Sequence, residues 1–212
     1  MILIGQMDSP FVRRVAIALH HYRLAFERRV ISAYDDFDAL LGVNPLGTVP
    51  ALELDDGTVL TDSYLILDYL DRLAGPERAL LPDEPEARAK LMAHLGPAVG
   101  LAEKAVAFRT ETVRRPAAKR DEARVTRILA QIAASLAWLE AHTPEEGFIA
   151  GASPTHADIA SAVAMTFIRN KNPEHLASRH AFPRLLAHTQ RCEALAAFAA
   201  APFGEGLDQD AF

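Results

Sequence analysis

The stretch N-P-L-G-T-V-P-A-L-E-L-D-D-G-T-V-L-T-D-S, from Asn44 to Ser63, carries the signals on which the fold turns. Val49-Pro50 is followed at once by an apolar run, Ala51 to Leu54. Proline has no N–H for a β-ladder, so it belongs at the start of a strand or on an edge. Asp55-Asp56-Gly57 is turn chemistry and Val59-Leu60 resumes an extended apolar run, which together predict a short hairpin. Asp62-Ser63 then opens a helix on which Leu65, Ile66, Tyr69, Leu70 and Leu73 share one face. Either Asp62 or Ser63 can cap that helix with its side chain.

Upstream, Met1 to Gly5 is a short apolar strand. Ser9-Pro10 is a strong helix start, serine serving as N-cap and proline as first helical residue. The helix carries an apolar stripe of Val12, Val15, Ala16 and Leu19. Phe26 to Ile31 forms a second strand, and a short element is expected near Asp35 to Leu41. The order βαβ, short element, ββα is an α/β layout of the thioredoxin-like kind, fitting residues 1–75.

Gly75-Pro76 and the proline-punctuated run Leu81 to Pro85 place a linker at residues 76–84. Residues 85–212 read as an all-α helical domain. Leu91, Leu95, Leu101 and Ala105 recur at helical spacing, as do Val125, Ile128, Leu129, Ile132, Leu136 and Leu139. Thr155 and Asp158 have capping-box spacing. The helix they open is apolar nearly all round from Ile159 to Ile168, the pattern of a helix buried on every side. Phe182-Pro183 begins another helix through Leu195, and the alanine-rich run Ala194 to Ala201 suits helix.

Composition narrows the function. The 212 residues carry a net charge of -6 and a single cysteine, Cys192. Residues 1–75 hold 6 Lys/Arg against 11 Asp/Glu, which argues against nucleic acid as a partner. The basic residues between Arg109 and Arg127 are interrupted by Glu111, Asp121 and Glu122 and read as a solvated helix turn. No stretch reaches the roughly 18 apolar residues of a membrane helix, and Met1 to Gly5 lacks the features of a signal peptide. The eight histidines show no ligand spacing, so no metal is expected. A cytoplasmic protein is the expectation, with Cys192 a buried apolar filler.

Four features in order resemble the glutathione S-transferase family: S-P-F-V-R-R-V at 9–15, N-P-L-G-T-V-P-A-L at 44–52, Asp62-Ser63, and the Thr155/Asp158 box. They span nearly the whole chain. The first is similar to the S-P-F-x-x-R-V motif of serine-type transferases. The resemblance implies a thioredoxin-like N-terminal domain and an all-helical C-terminal domain. It implies glutathione as co-substrate, a small apolar electrophile as second substrate, a detoxification role and a homodimer packed through helices near 62–74 and 86–110. It also implies a cis Val49–Pro50 bond, with Val49 offering its backbone to the cysteinyl part of glutathione. Thr48, Val49, Pro50, Asp62 and Ser63 are then the glutathione-binding residues, the last two at the γ-glutamyl end. Thr155 and Asp158 are folding determinants.

A thiol titrates near 8.5 and only its thiolate attacks, so a transferase must stabilise that anion. Ser9, at a helix N-terminus, is placed to donate to sulfur; its other reading is a bare N-cap. Two departures from the pattern stand out: Thr48 replaces the usual Gln or Lys, and Asp8 puts a carboxylate beside Ser9. Met7, Phe11, Phe108 and Phe167 are candidates for an apolar electrophile wall between the domains or for plain core. Arg13 and Arg109 read as solvated helix surface, or as contacts for an anionic substrate. The alternatives to a transferase are a glutathione-dependent isomerase, lyase or dehalogenase on the same scaffold, or a non-catalytic binding or regulatory protein.

Overall fold

A computed structural model describes residues 1–173 and 182–204. It divides into two compact units, one of residues 1–80 with 194–204, the other of the described residues from Leu81 to Glu193.

The first unit is built on a four-stranded sheet. Strands β1 (Ile2–Ile4), β2 (Glu27–Arg29), β3 (Ala51–Glu53) and β4 (Val59–Thr61) lie in the order β2-β1-β3-β4. β1 and β2 are parallel, joined by helix α1 (Pro10–Tyr22); the other pairs are antiparallel. A five-residue helix, α2 (Phe37–Leu41), fills the expected short element, and α3 (Ser63–Ala74) follows the hairpin. This is the thioredoxin-like arrangement. Leu3, Ile4, Ala51 and Leu52 are buried, and α1 contributes Val12, Val15, Ala16 and Leu19 with no exposed surface.

Two expectations change here. On α3 the buried face is Ile66, Leu67 and Leu70, whereas Leu65 is 64% and Leu73 49% exposed. An apolar helix offers more than one candidate stripe, and periodicity alone does not say which one the sheet covers. Arg13 is not solvated: it is 1% exposed, its Nε donates to the Ala201 carbonyl at 2.8 Å, and its guanidinium stands 5.7 Å from the Phe198 ring centroid. That bond, with the short helix α8 (Ala196–Ala199), ties residues 194–204 to α1.

The second unit is helical. Helix α4 (Pro85–Arg109) runs into a π-helical turn (Thr110–Arg114) and a short 3₁₀ turn (Ala117–Lys119) before α5 (Glu122–His142). Then come α6 (His156–Lys171) and α7 (Pro183–Glu193). Every residue of α6 from His156 to Ile168 is buried. Asp158 anchors it as a fourfold acceptor: Oδ2 takes the Thr155 N–H at 2.8 Å and hydroxyl at 2.6 Å, while Oδ1 takes the Ile149 N–H and lies 2.8 Å from His188 Nε2. Burial pushes the Asp158 carboxyl upward, but these donors outweigh it and hold its pKa below the usual value. Cys192 is fully buried, and burial raises its thiol pKa, the state of an inert filler.

Candidate functional site

Strand register brings the sequence signals to one end of the sheet. Ala51 pairs with Thr61 across the hairpin, so Pro50 and Asp62, each one residue further, leave β3 and β4 side by side. Ala51 also pairs with Ile4, so the chain leaving β1 toward Ser9 emerges at the same end. Val49-Pro50, Asp62-Ser63 and the start of α1 therefore share a rim.

Gly5 makes the approach possible. Its φ is +131°, and a Cβ there would stand 2.5 Å from Val12 Cγ2 and 2.9 Å from the Val49 Cβ. Those distances are below any real carbon contact, so only glycine lets the end of β1, the first turn of α1 and Val49 meet. The Val49–Pro50 bond is cis, as expected. Among the described residues, neither the N–H nor the carbonyl of Val49 takes part in a backbone turn or ladder bond, which leaves this edge open to an incoming backbone.

Asn44 braces the loop. It is 3% exposed; its Nδ2 donates to the Thr48 carbonyl at 3.0 Å, and its Oδ1 accepts the Leu46 N–H at 3.0 Å. Thr48 thus has its carbonyl tied inward and its residue surface exposed. The signal was present in Asn44-Pro45, since an asparagine that folds back on its own backbone is common turn chemistry.

Ser9 caps α1, its Oγ accepting the Val12 N–H at 3.4 Å with Pro10 at the first helical position. That bond is long, and it occupies a lone pair of the oxygen. The O–H remains available as a donor. Capping and donation outward are compatible in one serine.

Asp62 caps α3 through Oδ1, which accepts the Tyr64 N–H at 2.7 Å. Its φ is +67°, a left-handed conformation that costs a non-glycine residue roughly 1–3 kcal/mol and clusters at functional positions. Asp62 is exposed and Ser63 buried. Arg14, the arginine of the motif at 9–15 to which no role was given, feels the charge of Asp62 at the start of α3. It is 2% exposed, and burial lowers its pKa to about 10 against the raising fields of Asp62 and Tyr64. A stripe of apolar residues on one face of α1 gives no hint that the helix is covered on its other faces too.

Of the candidates for an electrophile wall, Met7, Phe108 and Phe167 are buried and Phe11 is half-buried. Arg109 is half-buried and donates from Nη1 to the Lys171 carbonyl at 2.8 Å. Among the described residues no group of three or more His, Cys, Asp or Glu is gathered to hold a metal ion.

The sequence matches the profile "Glutathione S-transferase, N-terminal domain" over residues 3–78 and "Glutathione S-transferase, C-terminal domain" over 122–191. It is 30% identical to the GST-like protein YibF of Escherichia coli over 168 residues, 79% of this chain and 82% of that one. Among solved structures it resembles a glutathione S-transferase from Methylobacterium radiotolerans in complex with glutathione sulfonate, with a TM-score of 0.87 and 28% identity over 97% of this chain and 96% of that one. A glutathione S-transferase from Methylobacillus flagellatus with glutathione bound gives a TM-score of 0.85 and 26% identity, covering 94% and 98%.

Proposed function

The chain belongs to the glutathione S-transferase family, and on that premise we propose that it activates the glutathione thiol for attack on a small apolar electrophile, with Ser9 as donor to the sulfur. The observation that carries this is the cap geometry of Ser9: a hydroxyl that accepts from the helix, keeps its proton to give, and shares a rim with Val49 and Asp62. The open backbone of Val49 supports pairing with the cysteinyl part of glutathione. Thr48 and Pro50 flank that edge. The exposed Asp62 carboxylate and Ser63 support recognition of the γ-glutamyl end. Glutathione-bound structural neighbours support the ligand class.

The energetics are adequate. Lowering a thiol pKa by about two units takes roughly 2.7 kcal/mol of preference for the anion. A hydrogen bond to a charged group contributes about 1.5–3 kcal/mol, and a helix N-terminus about 0.3–1 kcal/mol. One hydroxyl at the start of α1 supplies most of what is needed. Proton loss goes to solvent, since an unactivated serine is a donor and no base.

A homodimer is part of the proposal, supported by the exposed stripe Leu65 and Leu73 with half-buried Tyr69 between them on α3. A single buried, unpaired cysteine supports a reducing, cytoplasmic setting. The test is a pH titration of the ultraviolet absorbance of enzyme-bound thiolate, with conjugation rates measured against a chlorinated nitroarene. Ser9→Ala should raise the apparent pKa of bound glutathione and lower turnover at neutral pH, with a smaller change in glutathione affinity. Coincident titration curves and equal rates would leave Ser9 a helix cap only.

A further inference from the structure

The turn at residues 44–47 uses more of Asn44 than a turn requires. The Asn44 carbonyl accepts the Gly47 N–H at 3.1 Å, which closes the turn, and its own N–H donates at 2.9 Å to the Leu40 carbonyl near the end of α2. The side-chain Oδ1 accepts the Leu46 N–H, the ordinary way in which an asparagine stiffens such a turn. Those three bonds suffice to hold the loop. The fourth reaches out of it: Nδ2 donates to the Thr48 carbonyl at 3.0 Å, from a residue that is 3% exposed.

That carbonyl is half of a peptide group whose other half is the Val49 N–H. A peptide unit is planar, and in the trans form its C=O and N–H point in opposite directions. Val49–Pro50 is the only cis bond among the described residues, so the Thr48–Val49 unit is trans. Drawing the Thr48 carbonyl onto a buried amide therefore turns the Val49 N–H away from the interior of the loop. The Val49 side chain is held as well, packed against the cluster of Ile4, Leu40 and Ala51. Leu40 serves both ends of this frame, as acceptor for the Asn44 N–H and as part of that cluster. With the carbonyl before it and the side chain beside it both fixed, the Val49 N–H has one direction to face and no backbone partner among the described residues.

We propose that Asn44 is a positioning residue for ligand binding: by holding the Thr48 carbonyl, it aims the Val49 N–H at the carbonyl of the cysteinyl residue of glutathione. The assignment rests on the glutathione reading above and names what presets that edge. Asn44 acts through the Thr48–Val49 peptide and needs no contact with the ligand. A loose peptide would have to be ordered when glutathione arrives, whereas a preset one has met that cost in folding.

The discriminating change is Asn44→Asp. The carboxylate keeps an oxygen for the Leu46 N–H, so the turn survives, but it has no N–H for Thr48 and sets oxygen against oxygen there. Calorimetric titration of full-length wild type and variant uses two ligands: glutathione, and its isostere in which a trans carbon–carbon double bond replaces the amide between cysteine and glycine. The isostere lacks the cysteinyl carbonyl. Wild type should bind it roughly threefold to tenfold more weakly than glutathione, the range of one neutral hydrogen bond. In Asn44→Asp that ratio should fall toward unity, while the added negative charge weakens both ligands alike and leaves the ratio untouched. In nitrogen-15-labelled protein the Val49 amide proton should move downfield when glutathione is added to wild type, and stay in place in the variant. A merely structural role gives the same ratio in both proteins, which overturns the assignment and leaves the glutathione reading standing. If Asn44→Asp does not fold, wild type decides: a Val49 amide proton that moves with glutathione and not with the isostere upholds the assignment, and one that moves equally with both overturns it. Wild type that binds neither ligand overturns the glutathione reading itself, and this assignment with it.

Discussion

Replacing Gly5 by alanine should be among the most damaging single-methyl changes available in the first unit. Two costs add. Alanine strongly disfavours φ near +131°, a strain of roughly 1–3 kcal/mol. The new Cβ would also lie 2.5 Å from Val12 Cγ2 and 2.9 Å from the Val49 Cβ, and forcing atoms into a packed core costs about 1–3 kcal/mol. The expected loss is therefore about 2–6 kcal/mol, a large part of a typical stability of 5–15 kcal/mol. Gly57→Ala is the internal control: its φ is +85°, but nothing lies within 4 Å of the added carbon. It should show the conformational cost alone, about 1 kcal/mol. Urea unfolding of both variants against wild type separates the terms, because a shift of midpoint at constant slope reports stability. Glutathione affinity should fall in Gly5→Ala, where Val49 must move, and hold in Gly57→Ala. Equal losses in the two variants would refute the claim that Gly5 exists to let α1 and the loop before β3 meet.

His94 gives a pH dependence. Burial lowers its pKa to about 4 from 6.5, so the folded state keeps it neutral while the unfolded chain takes a proton; stability is full above about pH 6.5 and declines by up to about 3 kcal/mol as pH falls toward 4. His94→Gln should flatten that limb in melting temperatures measured across the range, and an unchanged limb would assign the acid sensitivity elsewhere. Leu65→Glu should convert a dimer to a monomer by light scattering with little change in melting temperature, since Leu65 is 64% exposed in the single chain; a wild-type monomer would remove the dimer from the proposal.

Much of the site was legible because it is made of local signals. Ser9-Pro10 reads as a helix start from the two residues alone, and Asp55-Asp56-Gly57 fixes the hairpin that sets Asp62 beside Pro50. Such motifs hold within a few residues and do not depend on what packs around them. The readings that changed depend on distant partners. Arg13 finds its acceptor at Ala201, 188 positions along the chain, so nothing near it in sequence foretells burial. Arg14 is buried and feels Asp62 and Tyr64, some fifty positions along the chain, and Gly5 is required only because Val12 and Val49 converge on it. The α3 stripe fails for a related reason: Leu65 and Leu67 are both leucine, and only the sheet distinguishes them.

The charge of the first unit sharpens the case for placed cations. Residues 1–75 carry a clear acidic excess, and glutathione is itself an anion at neutral pH. At physiological salt, interactions between exposed charges fade within about 8 Å, so most of that excess is screened at the rim. What remains is local: the start of α1, where Ser9 accepts one of the N–H donors the helix leaves open; the start of α3; and Arg14, whose burial spares it from screening. The outward Asp62 is the one carboxylate of the set aimed where an ammonium would sit. Between the two helix ends lies an uncharged backbone edge at Val49. On the proposed reading, the thiolate of glutathione would face the start of α1 and its zwitterionic end the start of α3, each a helix N-terminus. Recognition on this rim follows the position of charge, against the sign of the unit's net charge.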